Sequence, residues 1–149
     1  MRFLGRRCFA TVGAVPSAGR LRVSLVTPER TLFADMADQV NISAERGDMG
    51  ILADHVPIVE QLKPGIVEVM REGREKSRFF VAGGFAVVQP GSVLELSAIE
   101  AWPVDALNPM AIQRGLSEAA AVAGGSEKEK ARAEVVREVY LAMQQAICK

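Results

Sequence analysis

Rings and sulfur are scarce in this chain. Aromatic residues make up 5% of its 149 positions, and it holds one tryptophan, one tyrosine, one histidine and two cysteines. Hydrophobic residues still reach 49%, so a core has to be assembled from Val, Ile, Leu and Ala rather than from stacked rings. Cys8 and Cys148 stand near opposite ends, in no metal-ligand spacing, and are compatible with a reducing compartment. Paired histidines, paired cysteines and a D-x-D-x-D-G loop are all missing, so no metal site is expected. Any histidine-based pair of base and nucleophile would have to use His55, whose chain neighbours Asp54, Val56 and Pro57 include neither serine nor cysteine. A structural role is the commoner fate of such a histidine. No apolar run reaches the roughly 18 residues of a spanning helix, so membrane association has to come through a partner. Charge of one sign is lacking too: 18 basic residues balance 18 acidic ones, which removes the electrostatic footprint of a nucleic-acid binder. Neither G-x-x-x-x-G-K-[ST] nor G-x-G-x-x-G occurs, which argues against nucleotide binding by a glycine loop. The balance of these absences points to a chain that is no enzyme by itself and carries no cofactor.

What is present divides into three materials. Met1 to Arg20 contains Arg2, Arg6, Arg7 and Arg20 and no carboxylate, the first being Glu29. That is the composition of a mitochondrial transit peptide. Coiled as a helix, it sets Leu4, Cys8, Val12 and Val15 on one face against Arg2 and Arg6. Arg7-Cys8-Phe9-Ala10 resembles a processing site, and a disordered basic tail is the bland alternative.

Residues 21–102 break into short apolar runs between turn residues, the spacing of an antiparallel β-sandwich or barrel. Expected strands are Arg22 to Val26, Gln39 to Ala44, Gly65 to Glu72, Ser77 to Ala82, Phe85 to Gln89 and Val93 to Ile99. Val40, Ile42 and Ala44 alternate with Gln39, Asn41 and Ser43, so one side of that strand faces a core. Glu72-Gly73-Arg74 and Gln89-Pro90-Gly91-Ser92 read as turns, and Gly83-Gly84 as a two-residue hairpin loop.

Residues 103–149 are rich in the helix formers Ala, Glu, Lys and Arg. Asn108-Pro109 reads as a cap followed by proline at the first helical position. This first helix is expected to run to about Ala123 with Ile112, Leu116 and Ala119 on one face, ended by Gly124-Gly125. Ser126 with Glu129 three residues on has capping-box form and opens a second helix to about Ile147. Ala131, Val135, Val139, Ala142 and Ala146 make a narrow stripe along it, suited to close helix approach. Lys128, Lys130 and Arg132 read as a solvated face. The expected fold is mainly β with α: an N-terminal antiparallel β-sandwich, then an antiparallel α-helical hairpin.

Gly47 to Gly65, GDMGILADHVPIVEQLKPG, carries a more specific signal. Gly47, Asp48, Gly50, Ile51, His55, Pro57, Lys63, Pro64 and Gly65 match a pattern G-[ED]-x-G-I-x-x-x-H-x-P followed by K-P-G, and Val81 to Val93 is similar to an S-G-G-x-x-x-V-x-P-G-x-V segment, with Ala82 in place of the serine. On these residues the chain resembles the epsilon subunit of bacterial and plastid ATP synthases, called delta in mitochondria. The resemblance implies a noncatalytic central-stalk role at the matrix side of the mitochondrial inner membrane. The implied partners are the gamma subunit, the membrane rotor ring (c-ring) and the small mitochondrial epsilon subunit. Carried over by position, it implies that Arg46, Asp48 and His55 face the c-ring and that Val59 and Glu60 face gamma. An ordinary solvated turn acid is the other reading of Asp48. Met49, Ile51 and Leu52 are either core or interface. Some relatives bind ATP through an [IL]-D-x-x-R-A motif, but Leu107-Asn108-Pro109-Met110-Ala111 lacks the arginine. The alternatives left open are an ATP-responsive inhibitor of the same complex and an unrelated β-sandwich scaffold.

Overall fold

A computed structural model of the chain describes residues 19–121 and 126–148. The leader reading, Met1 to Arg20 with its processing site, lies outside the described residues except for Gly19 and Arg20, and Gly124-Gly125 lies outside them too. Ten strands come first: β1 (Leu21–Val26), β2 (Thr31–Ala37), β3 (Gln39–Ala44), β4 (Gly47–Leu52), β5 (Ile58–Leu62), β6 (Gly65–Met70), β7 (Ser77–Val81), β8 (Gly84–Gln89), β9 (Val93–Ala98) and β10 (Ala101–Pro103). A turn of 3₁₀ helix at Val104–Ala106 leads to α1 (Pro109–Ala121) and α2 (Glu127–Cys148).

The strands form one continuous hydrogen-bonded path that doubles over into two layers. One layer runs β4-β3-β6-β7-β10 and the other β5-β8-β9-β1-β2. They join where the end of β3 meets the end of β5, at the Ala44–Leu62 pair. Beside it, Lys63 N–H donates to the Ser43 carbonyl at 3.1 Å. The alternation that exposes one side of each strand fills the space between layers with Leu21, Val23 and Leu25 from β1, Val40 and Ile42 from β3, Val67 and Val69 from β6, and Leu94 and Leu96 from β9. Each is at most 1% exposed, and burying such a side chain stabilises by roughly 1.5–3 kcal/mol.

Every strand pair is antiparallel except β1 with β9, which run parallel. Gly83-Gly84 is not a hairpin loop. β7 pairs with β6 and β10, whereas β8 pairs with β5 and β9, so the glycines carry the chain from one layer to the other. Gly84 has φ +145°, and a Cβ there would overlap the Ser97 carbonyl. Close backbone crossing, rather than tight reversal, is what requires glycine here.

A second apolar cluster lies outside the sandwich. Phe80, Val104, Ile112, Met143 and Ala146 are its buried members, with Ile66, Trp102, Leu107, Leu116, Val139 and Tyr140 packed around them. It glues the helical hairpin to the outer face of β6, β7 and β10. Phe80 and Trp102 stack with ring centroids 6.4 Å apart. Of the expected stripe on α2, Val139, Ala142 and Ala146 are at least half-buried, while Ala131 and Val135 are exposed; the seam holds only over the C-terminal half of the helix. Arg78 on β7 donates to the Ala146 carbonyl at 3.1 Å, a cation at a helix C-terminus where the dipole favours it, and pairs with Glu68 at 3.5 Å.

Candidate functional site

With the outer face of β6, β7 and β10 occupied by the hairpin, two of the surfaces that the sandwich leaves open hold most of the residues at issue. The first is the outer face of the β5-β8-β9-β1-β2 layer. Val59 is opposite Val87 and Gln61 opposite Phe85 across the β5–β8 ladder. Val59 is 66% and Phe85 53% exposed, and Ile99 at the rim is 68% exposed. A shallow groove of about 490 Å³ continues from Phe85 past Val26, Pro28 and Ile99. In β8 the inward residues Ala86 and Val88 are buried, yet the outward residues Phe85 and Val87 are apolar as well. A strand with water on one side alternates; a strand apolar in both phases is built to be covered on both.

The second open surface is the end of the sandwich where β3 turns into β4. It is charged: Glu29 and Arg30 from the β1–β2 connection, Glu45 and Arg46 from the β3–β4 turn, and Glu100 are all exposed there. Arg46 lies 3.7 Å from the Glu60 carboxylate, and Lys63 lies 3.9 Å from Asp48. The Arg46 and Asp48 side chains are 83% and 75% exposed. The Lys63–Asp48 pair, exposed on both sides, contributes about 0–1 kcal/mol, so Asp48 can exchange partners at little cost, whereas Arg46 pairs with the buried Glu60 carboxylate, which is costly to leave alone.

These positions regroup the residues singled out in the sequence. Arg46 and Asp48 sit together at one end of β4. His55 lies beyond the other end, roughly 16 Å along a strand of this length, so the three do not share one patch. Val59 and Glu60 are adjacent in a strand and point to opposite sides. Val59 faces out; Glu60, at 5% exposed, turns inward toward Arg46 and presents nothing to an outside partner. Met49 packs against the core and Ile51 is buried in it, while Leu52 is 53% exposed. Phe85, Val87 and Ile99 were missed by sequence reasoning, although the two-phase apolar run Phe85 to Val88 was the signal that could have found them.

His55 occupies the β4–β5 loop, its Nδ1 2.8 Å from the Val56 carbonyl oxygen. The preceding residue, Asp54, has φ +59°, and its N–H donates to Ser92 Oγ at 2.8 Å. No group of three His, Cys, Asp or Glu among the described residues is arranged to hold a metal ion. Among the described residues, too, no helix is long and apolar enough to cross a membrane.

Residues 20–98 match the family described as ATP synthase, delta/epsilon chain, β-sandwich domain. A mitochondrial ATP synthase subunit delta from Eremothecium gossypii is 45% identical over 136 residues, covering 90% of this chain and 85% of that protein. The Saccharomyces cerevisiae protein of the same name is 40% identical over 149 residues, covering 99% and 91%. Among solved structures, a chain in the Euglena gracilis mitochondrial ATP synthase, from an OSCP/F1/c-ring assembly, superposes with a TM-score of 0.80 at 27% identity, covering 97% of this chain and 91% of that one. A chain of the Tetrahymena thermophila central stalk and c-ring shares the fold at a TM-score of 0.65 and 13% identity, covering 85% and 96%.

Proposed function

This chain belongs to the ATP synthase delta/epsilon family, and we propose that it is a noncatalytic central-stalk subunit of a mitochondrial F-type ATP synthase. The observation that carries this reading is the extent of the likeness, which runs through the sandwich and the helical hairpin alike and spans 85–91% of relatives named for that subunit. Its place is the matrix side of the inner membrane, held there through the complex.

The two open surfaces divide the work. The charged end with Arg46 and Asp48 meets the polar loops of the c-ring. The apolar face with Val59, Phe85 and Val87 grips the gamma subunit, and His55 moves from the ring-facing group to the rim of this gamma-facing one, beside Val56. The hairpin packs beside the small epsilon subunit. Torque from the ring then reaches gamma through a rigid sandwich, and no bond is made or broken in this chain. A joint that bears torque without slipping should bury well over about 1,000 Å² in total.

Separation of gently solubilised mitochondria on a native gel, followed by mass spectrometry of the co-migrating proteins, tests the reading. Co-migration with gamma, the c-ring and the catalytic head is the expected result. Migration as a free small protein would overturn it in favour of a scaffold outside the complex.

A further inference from the structure

Asp54 and Ser92 are the non-glycine residues with positive φ among those described, at +59° and +58°, and they are bonded to each other. The Asp54 N–H donates to Ser92 Oγ at 2.8 Å, and the Ser92 hydroxyl lies 3.1 Å from Asp54 Oδ1, to which it donates in turn. The Ser92 carbonyl accepts from Arg22 N–H on β1 at 2.8 Å. Ser92 is 6% exposed, so its side of the contact is shielded from water, while Asp54 reaches it from the surface. The left-handed region costs a non-glycine residue free energy, and such a conformation persists where the surroundings over-determine it.

The place of this contact gives it a use. The loop from Ala53 to Pro57 is where the chain leaves β4 in one layer and enters β5 in the other, and the β8–β9 turn bearing Ser92 belongs to the second layer. The loop is bracketed by exposed apolar side chains, Leu52 at 53%, Val56 at 69% and Val59 at 66%. A loop carrying apolar groups in water gains by folding them back unless something holds it. We infer that Ser92 and Asp54 are positioning residues: they lock the Ala53–Pro57 loop so that Val56 and His55 stand ready beside Val59 for the gamma subunit. This rests on the gamma-facing reading of Val59. Preorganisation of this kind raises affinity by removing the ordering cost from the binding step.

The test pairs two variants in the full chain and in the assembled ATP synthase. Glycine adopts φ +58° freely, so Ser92→Gly deletes the hydroxyl without backbone strain. Asp54→Asn keeps an acceptor at Oδ1 and a residue tolerant of the left-handed region. In the isolated full chain, Ser92→Gly is expected to speed amide exchange at Asp54 and His55 about tenfold. In the assembled complex it is expected to speed dissociation of the subunit under mild detergent washing, with Asp54→Asn near wild type in both. Unchanged exchange in Ser92→Gly overturns the lock itself. Faster exchange with unchanged dissociation overturns the positioning role. In that case Val59→Asp in the same complex locates the fault: if it too dissociates normally, the gamma-facing reading has failed; if it dissociates faster, that reading stands and the loop is simply not part of the contact.

Discussion

The carboxylate of Glu129 accepts two hydrogen bonds from Ser126, from the backbone N–H at 2.7 Å and from the hydroxyl at 2.9 Å. These bonds, the backbone one first, hold its pKa below the ordinary value of a glutamate. A lowered native pKa means that the ionised form is favoured by folding. The stabilisation is therefore complete above the unfolded glutamate pKa of about 4.3 and is lost as pH falls through the lower native value. Acidification from pH 5 to 3 should fray the first turn of α2 ahead of the sandwich, read as a lower amide protection factor, relative to intrinsic exchange at each pH, at Ser126 and Lys130. In Glu129→Gln that turn should be weaker at pH 6 and lose most of its pH dependence. This contact was legible in the sequence because serine and glutamate sit three apart. So was Asn108, whose side-chain oxygen accepts from Met110 N–H at 2.9 Å. The bond between Asp54 and Ser92 was not, because 38 positions separate them and only the folded layers bring them together.

At the scale of elements, the hairpin depends on a missing side chain. Gly115 is buried in α1, and a Cβ built on it would sit inside the ring of Tyr140 on α2, within 2.7 Å of Cε1. Glycine in mid-helix ordinarily costs about 1 kcal/mol relative to alanine, so Gly115→Ala would stabilise an isolated helix. Here it should destabilise the hairpin by about 1–2 kcal/mol through overpacking, seen as a lower midpoint of Trp102 fluorescence in thermal unfolding. Adding Tyr140→Ala should return part of the loss. Neither helix announced this fit, because residue spacing defines one helix at a time and the fit belongs to the pair. The strands divide in the same way. β1, β3, β6, β7, β8 and β9 were readable from alternation or apolar runs. β2, β4 and β10 lie at the margins of the layers, and β5 at the corner joining them. The Thr31–Ala37 strand buries one residue fully, Gly47–Leu52 carries two glycines, and Ala101–Pro103 ends in proline. Such segments are strands because a neighbour supplies hydrogen bonds, not because their own pattern demands it.

Over the whole molecule, each layer has an inner face and an outer face, and the proposed gamma-facing surface follows from what covers each outer face. The hairpin covers the β6, β7 and β10 part of one; the other, with Val59 and Phe85, is apolar and open. Val59→Asp combined with Phe85→Asp should leave thermal unfolding of the isolated chain nearly unchanged, since both side chains are exposed. It should reduce retention on particles containing gamma by about tenfold or more, consistent with loss of anchoring apolar contacts. Co-purification at wild-type level would remove gamma from this face. The family pattern pointed toward β4 and β5, but sequence alone placed Val59 and Glu60 together, and pleating separates them.

The parallel pairing of β1 with β9 also sets an order of events in time. Arg22 and Val93 are register partners, so the first strand to emerge during synthesis has no second neighbour until nearly the whole sandwich has followed. β1 and β2 must wait as a lone hairpin with one long edge unsatisfied, a state prone to pairing with the wrong strand. Closure is thus postponed to the arrival of β9. Such long-range closure is slow compared with local hairpin formation, so the edge of β1 stays open for longer than any hairpin in the sandwich takes to form.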